Sequence, residues 1–134
     1  MQIVIVGAGR FGREVADWLK RCKADVAGFI DDEREGEVSG LPVLSTIDAY
    51  QPQEAHGLLV SVGEPEARER IANLLEAKGA EFTSMCADGI AAHTARWGDG
   101  LIMCPFSVLS AGAVVGRHVH VNISLGSVTP SCST

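Results

Sequence analysis

From residue 91 the chain can be cut into hexads: AAHTAR, WGDGLI, MCPFSV, LSAGAV, VGRHVH, VNISLG and SVTPSC, with Ser133 and Thr134 left over. Most of them open on an apolar residue (Trp97, Met103, Leu109, Val115, Val121), and a small residue often follows (Gly98, Ser110, Gly116). A six-residue period is not a helical seam, whose apolar positions recur every 3.5 or 3.6 residues. It predicts a β-solenoid in which each hexad forms one short face of a coil. The rhythm fades in the final SVTPSCST, and the hexads suffice for two coils and a fraction. An open solenoid end leaves apolar faces and strand edges uncovered. The expectation is therefore that oligomer contacts bury this end, or that order is lost from about residue 124.

The sequence before the hexads obeys a different grammar. Gln2 to Val6 is a short β-branched run, followed at once by Gly7-Ala8-Gly9-Arg10-Phe11-Gly12 and then by helical spacing from Arg13 to Arg21. Strand, glycine turn and helix form the context in which G-x-G-x-x-G has a mechanism. Glycines let the backbone approach a phosphate, and the free N–H groups of the helix start attract it. Val26 to Ile30 reads as a second strand ending in Asp31-Asp32, acidic residues placed where a ribose hydroxyl is often bound. Residues 33–39 read as a charged loop and 41–44 as an edge segment, because Pro42 cannot donate to a central ladder. Residues 46–50 suit a brief helix, and Leu58 to Val62 a third strand closed by Gly63. Pro65 opens a helix at its favoured first position. That helix runs to about Lys78, with Ile71, Leu74 and Leu75 as its stripe and Gly79 as its stop. Phe82 to Met85 reads as a fourth strand. This alternation predicts a small parallel sheet flanked by helices, with a ligand beyond the strand ends where Gly9, Asp31 and Gly63 converge.

Composition narrows the partners. The 134 residues are 46% apolar, enough for a packed core, and carry a net charge of −6. Nucleic acid and anionic membranes want a basic face, so neither is expected as a partner. No apolar run is long enough to span a bilayer, and MQIVIVGAG reads as a strand and not as a signal peptide. Cys22, Cys86, Cys104 and Cys132 are too scattered for a C-x-x-C site, which suits free thiols in the cytoplasm.

GAGRFGREV, GFIDDE, GLPVL and VSVGEPEARERI, followed by the hexads, resemble bacterial sugar acetyltransferases of the PglD/NeuD type in content and order. These enzymes modify UDP-amino sugars and sialic acids, and the likeness covers residues 1 to about 122. The resemblance implies a Rossmann-like nucleotide-sugar-binding domain, residues 1–85, followed by a left-handed parallel β-helix, here partial, over residues 86–134. It further implies a homotrimer that holds acetyl-CoA between neighbouring subunits. Carried over, the nucleotide-sugar contacts are Gly7, Gly9, Arg10 and Phe11 in the glycine loop, Asp31 and Asp32 after the second strand, and Gly63 with Glu66 after the third. Relatives often have Gly-His where Arg10-Phe11 stands, leaving open whether Arg10 reaches a phosphate or Phe11 packs under the sheet.

The catalytic base of such enzymes is a His about seven residues after the Asn matching Asn122. Here that count lands on Thr129 or, with one slip, on Pro130, and neither accepts a proton near neutral pH. No catalytic residue is therefore assigned, and the acetyl-CoA site is expected to be missing. His118 and His120 alternate and would point the same way, but only two metal ligands are visible, so no metal is expected and a solvated solenoid face is. His93 and His56 read as structural or exposed, and Trp97 as a bulky plug. Glu64, Glu66, Arg68, Glu69 and Arg70 read as a mostly exposed helix face. Three functions stay open: the sugar-binding part of an acetyltransferase with little or no activity, a stand-alone nucleotide-sugar-binding module, or an NAD-binding domain on an oligomerisation stalk.

Overall fold

The computed structural model describes residues 1–86, 90–91, 96–103, 108–109 and 114–121. The chain divides after Phe82 into two compact units.

The first unit is a Rossmann-like α/β layer. Its strands are β1 (Gln2–Val6), β2 (Val26–Ile30), β3 (Glu37–Val38), β4 (Leu41–Ser45) and β5 (His56–Val60), in the spatial order β3-β4-β2-β1-β5. All neighbours run parallel except the short β3–β4 pair. β5 is buried at every position, as are the last three residues of β1 and β2. That pattern belongs to a parallel sheet covered on both faces, which is why these strands are apolar without strict alternation. Helix α1 (Arg10–Arg21) buries Gly12, Val15, Ala16 and Leu19, one stripe at i, i+3, i+4 and i+7. Helix α2 (Pro65–Ala77) buries Arg68, Ala72 and Leu75. Val4, Val6, Ile30, Leu58, Val60, Ala72 and Leu75 form the core cluster, with Ile47 and Tyr50 at one side.

Several local expectations need correction. α1 begins three residues early, at Arg10, because Gly9 serves as its N-cap. Residues 37–38 are a strand and not loop, and they cover Leu41 and Pro42, so this stretch of β4 is not an edge. The N–H of Val43, next to Pro42, bonds Gly36 O at 2.7 Å. Residues 46–50 form a single turn, with Thr46 Oγ1 accepting the Ala49 N–H at 3.2 Å, and not a helix. β5 starts two residues earlier than the apolar run suggested, at His56. The α2 stripe is set by Arg68, Ala72 and Leu75, while Leu74 is exposed. In place of the expected strand from Phe82 to Met85, Phe82 makes an isolated parallel bridge to Leu58 and the next strand starts at Met85.

The second unit opens with β6 (Met85–Cys86), after which strands recur every six residues: β7 (Ile90–Ala91), β8 (Arg96–Trp97), β9 (Ile102–Met103), β10 (Val108–Leu109), β11 (Val114–Val115) and β12 (His120–Val121). Every third strand pairs in parallel, giving the sheets β6-β9-β12, β7-β10 and β8-β11. Three hexads thus make one coil, and each coil lies in register on the next. Leu101, Ile102, Met103, Val115 and Val119 fill its interior. Gly100 and His118 occupy equivalent corners one coil apart, and both have positive φ, 78° and 55°. A side chain at Gly100 would overlap the His118 ring, so the glycine of one coil makes room for the imidazole of the next.

His118 is therefore a corner residue and not a strand residue. Both His118 and His120 are buried, and not on a solvated face as expected. The His93, Asn122, Thr129 and Pro130 positions, and the order beyond residue 124, lie outside the described residues.

Candidate functional site

The parallel register sets the ends of three strands level. Val6 pairs with both Ile30 and Val60, so the glycine loop, the Asp31 turn and the segment 61–64 leave the same edge of the sheet. The chain order along the sheet reverses beside β1: β2 and β4 lie on one side and β5 on the other. Open α/β sheets bind ligands at such a switch point, outside the carboxyl ends of the strands.

Gly7 has φ 102° and lies close to its neighbours, since an added Cβ would stand 3.2 Å from both Ser61 O and Val62 Cγ2. A Cβ at Gly12 would overlap the Gly7 carbonyl, so the helix start needs glycine for contact with its own loop. Gly9 and Gly63 differ: among the described residues, no atom beyond their own chain neighbours lies within 4 Å of a Cβ placed on either. Internal packing does not demand glycine there. Both leave bare backbone on the rim, where a ligand can approach. Gly9 brings no side-chain cap to the first-turn N–H groups of α1, and that turn holds no acidic residue. These donors suit an anion.

Asp31 fastens the walls together. Its Oδ2 accepts the Ala8 N–H of the glycine loop at 2.6 Å, and its Oδ1 accepts the N–H groups of Glu33 and Arg34 at 2.7 and 3.1 Å. A carboxylate has about four acceptor positions, so Oδ2 keeps capacity for a ligand hydroxyl. Asp32 Oδ1 takes the Ile47 N–H at 2.9 Å and ties the end of β2 to the turn after β4. Arg10 and Phe11 lie in the first helical turn and not in the loop. The Arg10 side chain is 91% exposed and 4.0 Å from Glu14, while the Phe11 ring meets Trp18 edge-on at 5.9 Å. Glu66 is exposed in the first turn of α2.

Sequence reasoning misplaced Arg68. It is not on the exposed face of α2: it is 2% exposed, and its Nη1–H donates to Val62 O at 3.3 Å. Burial pushes the Arg68 pKa below its ordinary value. Glu64, Glu66, Glu69 and Arg70 are exposed as expected. The signal was the helical spacing to Ala72 and Leu75, which alternating charges obscured. His56 is likewise no loop residue. It begins β5 and its Nδ1 shares a 2.7 Å hydrogen bond with the Tyr50 hydroxyl. A groove lined by Gln2, Tyr50, Gln53 and His56 opens at the N-terminal ends of β1 and β5, away from the glycine loop. No group of three or more metal-ligating side chains occurs among the described residues, and no helix among them is long and apolar enough to cross a membrane.

The model of the PglD N-terminal domain matches residues 2–75, more than half of the chain. This chain belongs to that family. It is 30% identical over 128 residues to GDP-perosamine N-acetyltransferase of Escherichia coli O157:H7, a match spanning 89% of this chain and 58% of that enzyme. Its fold is similar to the acetyltransferase domain of PglB from Neisseria gonorrhoeae FA1090, with TM-score 0.82, 26% identity and coverage of 89% of this chain and 60% of that one. That domain has also been solved in complex with acetyl coenzyme A. A mutant of perosamine N-acetyltransferase from Caulobacter crescentus, solved with CoA and GDP-perosamine, shares the fold at TM-score 0.81 and 20% identity, over 90% of this chain and 59% of that one. The chain thus spans about three fifths of the length of these relatives.

Proposed function

We propose that this chain is the sugar-nucleotide-binding portion of an acetyl-CoA-dependent acetyltransferase acting on a nucleotide-linked amino sugar in bacterial surface-glycan biosynthesis. The observation that carries the reading is the switch-point edge, where Asp31 joins the glycine loop to the next turn and Gly9 and Gly63 leave bare backbone facing open space. The first-turn N–H groups of α1 receive the diphosphate, Asp31 and Asp32 receive sugar or ribose hydroxyls, and Gly63 with Glu66 closes the third side. A net charge of −6 makes local backbone donors the natural diphosphate partner.

In the whole protein, read as a cytoplasmic homotrimer, acetyl-CoA supplies a thioester whose carbonyl the sugar amine attacks. A nearby base must take the amine proton, and neither Thr129 nor Pro130 can do so near neutral pH. On this reading the chain keeps sugar-nucleotide binding with little or no transfer.

Calorimetric titration with UDP-N-acetylglucosamine, GDP-mannose and NAD tests the reading. Binding of one sugar nucleotide and not of NAD is expected. Neither sugar nucleotide binding, or NAD binding instead, would sink it. Gly63→Ala sharpens the test: stability should move by no more than about 0.5 kcal/mol, because no positive φ or close neighbour forbids the methyl. Sugar-nucleotide affinity should fall about tenfold. Thiol release from acetyl-CoA with a UDP- or GDP-amino sugar present should stay at background.

A further inference from the structure

We propose that Arg68 is a positioning residue for the nucleotide-sugar site: its buried guanidinium, donating to the Val62 carbonyl, fixes the turn between β5 and α2 against the glycine loop. This rests on the functional reading above.

Arg68 is among the largest fully buried side chains of the chain. Taking a guanidinium out of water is unfavourable, and a well-packed apolar side chain of similar volume is often as stable or more so. Burial on the same helix face as Ala72 and Leu75 thus gives no reason for arginine. Its donation to Val62 O gives one. Val62 immediately precedes Gly63 and Glu64, where α2 starts: the Arg68 N–H bonds Glu64 O at 2.9 Å. One residue therefore holds both ends of the turn, through its main chain at Glu64 and its side chain at Val62. The same turn backs the glycine loop. Ser61 N–H bonds Val6 O at 2.8 Å, and Ser61 O and Val62 Cγ2 lie 3.2 Å from where a Cβ on Gly7 would stand. A shift of the Val62 carbonyl therefore reaches Gly63 directly and Gly7 through contact. Asp31 does the corresponding work on the other side of the loop, joining Ala8 to Glu33 and Arg34. The site is held by a buried cation under one wall and a carboxylate under the other.

The test compares Arg68→Met, Arg68→Lys and the parent chain. Arg68→Met should retain the parent melting temperature within a few degrees. Its affinity for the sugar nucleotide that binds the parent, UDP-N-acetylglucosamine or GDP-mannose, should fall at least tenfold. Arg68→Lys, which can still donate to the Val62 carbonyl, should recover affinity to within about threefold of the parent. Backbone ¹⁵N order parameters of the unliganded protein provide a second readout, since a rigid amide gives about 0.85 and a flexible one below about 0.6. In Arg68→Met the values at Val62, Gly63 and Glu64 should drop while those of β1 stay high. Should Arg68→Met not fold, Arg68→Gln carries the same comparison. Parent-like order at residues 62–64 overturns the proposal, whatever happens to affinity. Lost affinity without lost order would make Arg68 a ligand contact instead. If the parent binds neither sugar nucleotide, the functional reading fails, and the order parameters still decide whether Arg68 fixes the turn.

Discussion

The two units of this chain solve the problem of holding a backbone in place by opposite means. In the first, residues distant in sequence fasten one another: Asp31 holds Ala8, Asp32 holds Ile47, and Lys78 Nζ gathers the carbonyls of Ile47, Asp48 and Tyr50. In the second, each strand pairs with the strand three hexads away, and corner contacts such as His118 N–H to Asp99 O at 2.8 Å repeat that offset. A packed α/β unit makes each loop answer to several elements at once, so it can shape an asymmetric site. A solenoid coil answers chiefly to its neighbours, so it builds a regular wall whose errors stay local.

The largest expected effect tests the first half of that contrast. Gly12→Ala drives a methyl into the Gly7 carbonyl, and neither backbone can yield without moving β1 or α1. A loss of about 3 kcal/mol is expected, at the upper end of overpacking effects, together with loss of sugar-nucleotide binding. Urea denaturation and calorimetry read both. A Gly12→Ala chain with parent stability would show that the loop is slack and the contrast wrong.

Next comes Gly100→Ala in the solenoid. The methyl meets the His118 ring, and φ 78° is unfavourable for alanine. About 2 kcal/mol of destabilisation is expected in the second unit, with sugar-nucleotide affinity unchanged. Adding His118→Gly removes the clash and should recover about half of that loss, because the backbone strain at position 100 remains. No recovery would mean that the two corners do not pack as neighbouring coils do.

What could be read from residues alone follows the same division. The hexad beat is written once per strand, so strand spacing was legible even where the individual strands are two residues long. The glycine turn was legible because its context is contiguous. The failures fall where a residue's environment is assembled from afar. Arg68 looked solvated because its neighbours in sequence are charged, yet its neighbours in space are the core and the Val62 carbonyl. Asp31 and Asp32 were legible as the acidic end of a strand, but the backbone N–H groups they accept, at Ala8 and Ile47, belong to other loops. His118 looked like a strand residue because it alternates with His120, yet it turns a corner at φ 55°, where the missing side chain at Gly100 makes room for it.

The smallest effect probes the first unit far from the glycine loop. Tyr50 is the only tyrosine in the chain, is 4% exposed, and bonds His56 Nδ1 at 2.7 Å. Burial raises the phenol's pKa, and a backbone hydrogen bond with Gln53 only partly opposes it. A folded-state value above that of the unfolded chain favours the neutral phenol in the fold. That increment is full below the unfolded value of about 10 and is lost as pH rises through the higher folded value. The parent should therefore lose more stability than Tyr50→Phe between pH 9 and pH 11, while at pH 8 the variant is weaker by about 1 kcal/mol for the lost hydrogen bond. Ultraviolet titration reports this phenol without interference from another, and its midpoint should lie above that of the urea-unfolded chain. Equal midpoints would mean that the Tyr50–His56 pair opens to water. The fastening of the first unit would then end short of the strand starts and hold firmly only at the edge where the glycine loop and Asp31 meet.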